Sequence, residues 1–200
     1  MMVFAFMREE ILEKAGELFF KIGYKSVTMD DIASEMGISK KTIYKFFKNK
    51  EVLIEESVNL MHEACHQVID TITSQGHNPI KENFEIKKMF KEMFQNADTS
   101  PIYQLKKYYP KIYDRVMTKE MVVFHDCIKS NIERGIEQGF YRDNIDINNT
   151  VKFYFALVFY IHENMPMNEV QIIEIQALEY HTRAIATNKG IDELNKHLNN

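Results

Sequence analysis

The chain has 200 residues, 45% of them hydrophobic and 27% charged, with only 7 glycines, 4 prolines and 2 cysteines. That composition excludes a disordered, collagen-like or disulfide-framed polypeptide. The formal net charge is −4, yet residues 1–50 carry +2 and the remainder −6, and residues 38–50 hold five lysines and no acid.

The opening MMVFAFMREE lacks the basic n-region of a secretory signal. Residues 1–6 read as a frayed apolar extension ahead of Met7. Spacings of three and four then dominate, and no stretch alternates over strand length, so the expected fold class is all-α. Ile11, Leu12, Ala15, Leu18, Phe19 and Ile22 form one apolar stripe, with Gly23 as the residue after its C-cap. Thr28 opens a capping box with Asp31, starting a short helix that turns Ile32, Ala33 and Met36 inward and stops at Gly37. Ser39 caps a third helix, with Ile43 and Phe47 four apart. Asn49 caps a long one, about Lys50–Thr73.

Residues 74–79 form a turn, followed by a helix over about Asn83–Gln95 and a Pro-bounded element, Pro101–Pro110. Further helices are expected over about Lys119–Gln138, Asn149–Asn164 and Asn168–Asn188, the last two separated at Pro166. Gly139–Asn149 reads as a loop, and the tail from Gly190 holds one more turn. The longest apolar run, Phe153–Ile161, is far short of the roughly 20 residues that span a bilayer. With two cysteines and no leader, the chain is expected in the cytoplasm, off the membrane.

Three helices with a tight Gly-containing connection before the third make a helix-turn-helix, whose later helix enters the DNA major groove. If Ile43 and Phe47 are buried, Lys41, Thr42, Lys45 and Lys48 must point outward, where they reach phosphates and base edges. For a lysine run taken alone, the ordinary reading is a solvated face. Here the whole motif weighs against it.

The string GISKKTIYKFFKNKEVL at 37–53, preceded by TMDDIASEMGI at 28–38 and ILEKAGELFFKIGY at 11–24, resembles the DNA-binding segment of the TetR (tetracycline-repressor-like) family. The resemblance covers about Arg8–Leu53; EQGFYR at 137–142 is also similar, more weakly. It implies a helix-turn-helix DNA-binding domain over residues 1–50 and a helical ligand-binding and dimerisation domain over 51–200. It further implies that Thr28, Tyr44 and Lys50 contact phosphates while Ser39, Lys40, Lys41, Thr42 and Lys45 face the groove. Lys41 stands where the family often has glycine, and Lys45-Phe46 where His or Tyr is frequent. The implied partners are double-stranded operator DNA, a second copy paired through about Asn149–Asn188, and a small-molecule effector, with no cofactor and no enzymatic activity.

Three other constellations compete. His62-Glu63-Ala64-Cys65-His66 matches H-E-x-x-H, the zinc-hydrolase pattern, with Glu82 or Glu85 offered as a third ligand; with Cys65 it also suits a metal-sensing regulator. Cys65 and Cys127 together offer a redox pair, against the ordinary reading of buried thiols. Aromatic and Met residues crowd the middle of the chain. Phe90, Phe94, Met117, Met121 and Phe124 suit an apolar effector pocket, with Tyr103, Tyr113 and His125 as its polar groups, against the ordinary reading of plain core.

Overall fold

The computed structural model describes the backbone of residues 2–94 and 100–198, and side chains from residue 6 onward within those ranges. The described residues form ten helices and no strand: α1 Met2–Ile22, α2 Met29–Glu35, α3 Lys40–Tyr44, α4 Lys50–Ser74, α5 Pro79–Phe94, α6 Pro101–Tyr108, α7 Pro110–Glu137, α8 Ile147–Asn164, α9 Met167–Ile185 and α10 Asn188–Leu198. None is long and apolar enough to cross a membrane.

Several boundaries differ from the sequence expectation: α9 ends at Ile185 rather than Asn188, Asn188 opens the 11-residue α10 where one turn from Gly190 is expected, and four others differ for a local reason. Helix α1 extends back to Met2 instead of starting beyond a frayed residue 6, since nothing in MVFAFM breaks a helix. Helix α5 starts at Pro79 because Asn78 Oδ1 accepts from the N–H groups of Ile80 and Lys81; its expected end, Gln95, lies outside the described residues. Helix α7 starts at Pro110, nine residues early, because proline suits the first helical position, where its missing N–H is no loss. Helix α8 starts at Ile147, inside the expected loop, because Asp146 Oδ1 accepts from the N–H of Asn149 at 3.0 Å.

The sequence reading divides the chain at residue 50. The compact units divide it elsewhere: one comprises Met1–Cys65 with Asn96–Thr118, the other His66–Gln95 with Lys119–Asn200. In the first unit Ile11, Ala15, Phe19, Ile32, Ile43, Phe47, Leu53, Ile54 and Val58 are fully buried. Ile22, expected in the inward stripe, is 52% exposed at the last residue of α1. Helix α6 completes this core. Gln104 Oε1 accepts from the Tyr24 N–H at 2.9 Å, and the Tyr109 hydroxyl donates to the Tyr24 carbonyl at 3.3 Å. Gly23, at φ 102°, leaves the room this needs, since a Cβ there would sit 2.6 Å from Gln104 Oε1.

In the second unit Ile80, Ile132, Tyr141, Val151, Ile185 and Leu194 make the core. Gly135 accommodates the Tyr141 ring, which a Cβ would meet at 2.0 Å. Helices α8 and α9 pack on each other. His181 of α9 is buried and stacks on Tyr154 of α8 at 4.2 Å. Burial disfavours its charged form and holds its pKa down at about 4. As pH falls below about 6.5 the unfolded chain takes up a proton that the folded chain refuses until about pH 4, so stability falls across that window. His181→Gln should shrink the loss of unfolding free energy between pH 7 and pH 4.5 by about 2–3 kcal/mol. Urea melts at the two pH values check this; an unchanged difference refutes it.

Candidate nucleic-acid interface and helical cavity

The segment from Thr28 to Lys50 is built by three caps. Thr28 Oγ1 accepts from the Asp31 N–H at 3.2 Å while Asp31 Oδ2 accepts from the Thr28 N–H at 2.8 Å, the reciprocal box expected from the sequence. Gly37, at φ 64°, ends α2. Ser39 Oγ accepts from the Thr42 N–H at 3.1 Å, and Asn49 Oδ1 from the Val52 N–H at 2.9 Å. Ile43 and Phe47 are fully buried, with the Arg8 guanidinium 4.9 Å over the Phe47 ring. This anchoring leaves Ser39, Lys40, Lys41, Tyr44, Lys45 and Lys48 exposed, with Thr42 half-buried.

The nine residues expected at DNA thus lie in the first unit, but their charges are not equivalent. Lys40 Nζ donates to Asp30 Oδ2 at 2.7 Å, which raises its pKa. Lys50 is partly buried, which lowers its pKa; it donates to the Lys25 carbonyl at 3.2 Å and lies 5.9 Å over the Tyr109 ring. Asp31, whose carboxyl the two Thr28 hydrogen bonds hold below the usual range, sits close enough to act on Lys50. The Thr28 hydroxyl is already engaged with Asp31 Oδ2 at 2.8 Å. Lys41, Lys45 and Lys48 form no ion pair among the described residues.

Three further exposed lysines outside the motif, Lys25, Lys106 and Lys107, share the first unit. Lys25 lies 4.9 Å over the Tyr108 ring, Lys107 Nζ donates to the Tyr103 hydroxyl at 2.9 Å, and Lys106 lies 5.9 Å over Tyr113. In the sequence the Lys106-Lys107 doublet stands some 60 residues from the motif.

The second unit holds a cavity of about 410 Å³ between α4, α5, α7 and α8. Of the eight residues expected in an effector pocket, Phe90 and Phe124 line it, and the others do not. Tyr103, Tyr113 and Met117 belong to the first unit. Phe94 stacks on Phe90 at 6.2 Å without reaching the lining. On α7, Val123, Phe124, Cys127, Ile128, Asn131 and Arg134 share the cavity face. Met121, 48% exposed, and His125, whose Nδ1 lies 3.2 Å from Asp126 Oδ1, fall outside it.

The polar lining is joined in two groups. Glu82 Oε1 accepts from Arg134 at 2.6 Å and from Asn131 Nδ2 at 2.8 Å. Lys87 donates to Glu174 Oε1, which also meets His162 Nε2 at 3.0 Å. Burial alone would push Lys87 down and Glu174 up; their mutual attraction reverses both, so Lys87 is raised and Glu174 held well below the usual carboxylate range.

The metal alternatives gain no support. Among the described residues no three metal-capable side chains come together. His66 Nε2 lies 2.9 Å from Glu120 Oε2, and Glu82, offered as a third ligand, is engaged with Arg134. Cys65 is buried, whereas Cys127 is exposed, against the ordinary reading of two buried thiols; its thiol is pushed up by desolvation and then by Asp70, Asp126 and Glu82, the opposite of a reactive thiol.

The family described as "Bacterial regulatory proteins, tetR family" matches residues 11–57. The chain is 30% identical to the Biofilm operon icaADBC HTH-type negative transcriptional regulator IcaR of Staphylococcus aureus over 89 residues, 44% of this chain and 45% of that one. It therefore spans a little under half the length of that relative. It is also 30% identical to the Uncharacterized HTH-type transcriptional regulator YhgD of Bacillus subtilis over 164 residues, 74% of this chain and 81% of that one. A transcriptional regulator from Cytophaga hutchinsonii has a similar fold, with a TM-score of 0.72 at 17% identity, covering 90% of this chain and 98% of that one.

Proposed function

The chain belongs to the tetR family of bacterial regulatory proteins, and from that premise we propose that it is a DNA-binding transcriptional repressor whose operator affinity answers to a small-molecule effector. The observation that carries this is the set of exposed lysines, Lys41, Lys45 and Lys48, held outward by the buried Ile43 and Phe47. They give sequence-independent attraction to phosphate together with Tyr44, and Lys41 and Lys45 also face the groove beside Ser39 and Thr42.

The partner subunit is a second copy, docked on α8 and α9. Phe153, Tyr160, Ile172 and Tyr180 are each at least 60% exposed, an apolar face that an isologous dimer covers. Such a dimer sets two recognition helices about 34 Å apart, one turn of DNA. The effector reading rests on the cavity in the second unit. Helix α4 contributes residues to both units, so an occupant that prefers one position of its cavity-lining residues His66, Ile69 and Thr73 shifts the population of DNA-competent dimers.

The test is binding to the chain's own upstream intergenic DNA and to a scrambled duplex, each at two salt concentrations. Tight selective binding with a steep salt slope is expected. No binding to either duplex at low salt overturns the reading.

A further inference from the structure

We infer that the cavity of the second unit takes a small organic cation with a flat apolar body. The inference rests on reading that cavity as the effector site, and it names the occupant's chemistry.

The charges of the lining do not balance in favour of an anion. The lining contains two permanent cations, Lys87 and Arg134, and both are already held by carboxylates, Lys87 by Glu174 and Arg134 by Glu82. Three acids line the same cavity: Glu82, Asp70 and Asp126. Asp70 forms no ion pair among the described residues, and Asp126 has only the neighbouring His125. Glu82 is 2% exposed, and while its Oε1 serves Arg134 and Asn131, its buried Oε2 has no hydrogen-bond partner. A buried carboxylate oxygen without a donor is a costly arrangement that an incoming N–H relieves.

An anionic occupant would meet these acids with no uncommitted cation to receive it. A purely apolar occupant would leave Oε2 as it is. A cation answers both conditions. The Cys127 thiol reports the same sign of field at this face, raised by desolvation and by Asp70, Asp126 and Glu82.

The rest of the wall sets the body of the occupant. Phe155 and Phe159 stack at 4.2 Å on α8, with Phe90 and Phe124 contributed by α5 and α7. Aromatic faces accept a flat ring and attract a cation lying over them. A cavity of about 410 Å³ has room for a bicyclic ring with a short substituent.

The experiment is calorimetric titration of the full chain with three probes that share one ring and differ in the head group: 1-naphthylmethylamine, 1-naphthylmethanol and 1-naphthoic acid. The amine should bind about tenfold or more tighter than the alcohol, a difference of about 1.4 kcal/mol, and the acid weakest. Glu82→Gln should remove most of the amine's advantage while the alcohol keeps its affinity. Asp70→Asn, at an exposed position that folding does not depend on, should reduce the advantage severalfold. Equal binding of all three, preference for the acid, or no binding of any overturns the inference. So does an amine preference unchanged in both variants. Adding the amine to the operator assay separates the two readings. Selective binding without change in DNA affinity refutes the effector role and leaves the ligand class standing. DNA release by other compounds, with no amine bound, does the reverse.

Discussion

Replacing Lys41, Lys45 and Lys48 together by alanine is expected to lower affinity for a scrambled duplex by about a hundredfold for each subunit engaged, and for operator by at least as much, since Lys41 and Lys45 also face the groove. Each lysine that neutralises a phosphate releases counterions, adding about 0.9 to the slope of log affinity against log salt, so the slope should fall by about 2.7 per subunit. The comparison that gives this meaning is Lys40→Ala with Lys50→Ala. Each of those two carries the same formal charge as each of the three, but Lys40 is held by Asp30, and Lys50 is half-buried over Tyr109 and bonded to the Lys25 carbonyl. Their loss should cost several times less. Titrations of fluorescent duplex at four salt concentrations decide it. If the Lys40–Lys50 pair costs as much as the triple, the division of the stripe into committed and uncommitted charges is wrong.

Glu174→Leu is expected to destabilise the protein by about 3–5 kcal/mol, because it leaves the Lys87 ammonium buried without its carboxylate. For a chain of this length that is a fall of roughly 10 °C or more in Tm. Replacing both partners, Lys87→Met with Glu174→Leu, should recover most of the loss, since the desolvation of two charges disappears with the pair. The acid response follows from the sign of the shift. Glu174 is held below its ordinary value, so its contribution is present above the usual carboxylate pKa and drains away as pH falls below it. That window lies below the one in which His181 acts, so urea melts of the double variant should keep the His181 loss and lack the steeper fall beneath it. A double variant as unstable as Glu174→Leu alone would refute the account.

What was legible in the sequence was local. Thr28, Ser39 and Asn49 cap their helices because each finds its donor within three residues, and Ile43 and Phe47 are buried because a four-residue spacing returns to the same helix face. What was not legible depended on distant chain. Tyr103 and Tyr113 looked like pocket residues because aromatics are dense around them, but α6 and the start of α7 pack with the first unit, where Tyr103 receives Lys107. The cavity's acids were invisible for the same reason. By sequence Glu82 reads as a candidate metal ligand, and only the fold brings it to Arg134 and Asn131, some 50 residues on. Pro110 misled by its reputation as a breaker, when it stands at the first position of the longest described helix.

The contacts from Gln104 and Tyr109 to Tyr24 bear on how such a protein can be cut and recombined. A gene fragment ending at residue 50 would encode every lysine of the basic stripe, yet its product would lack the acceptor for the Tyr24 amide and the α6 wall that closes the core. The reading head is discontinuous in the gene although contiguous in space. A graft onto another regulator's body must therefore carry residues 101–118 with it, or land on a host whose own corresponding helix offers an equivalent acceptor. A cut at the obvious seam after the motif leaves the buried Tyr24 amide without its acceptor.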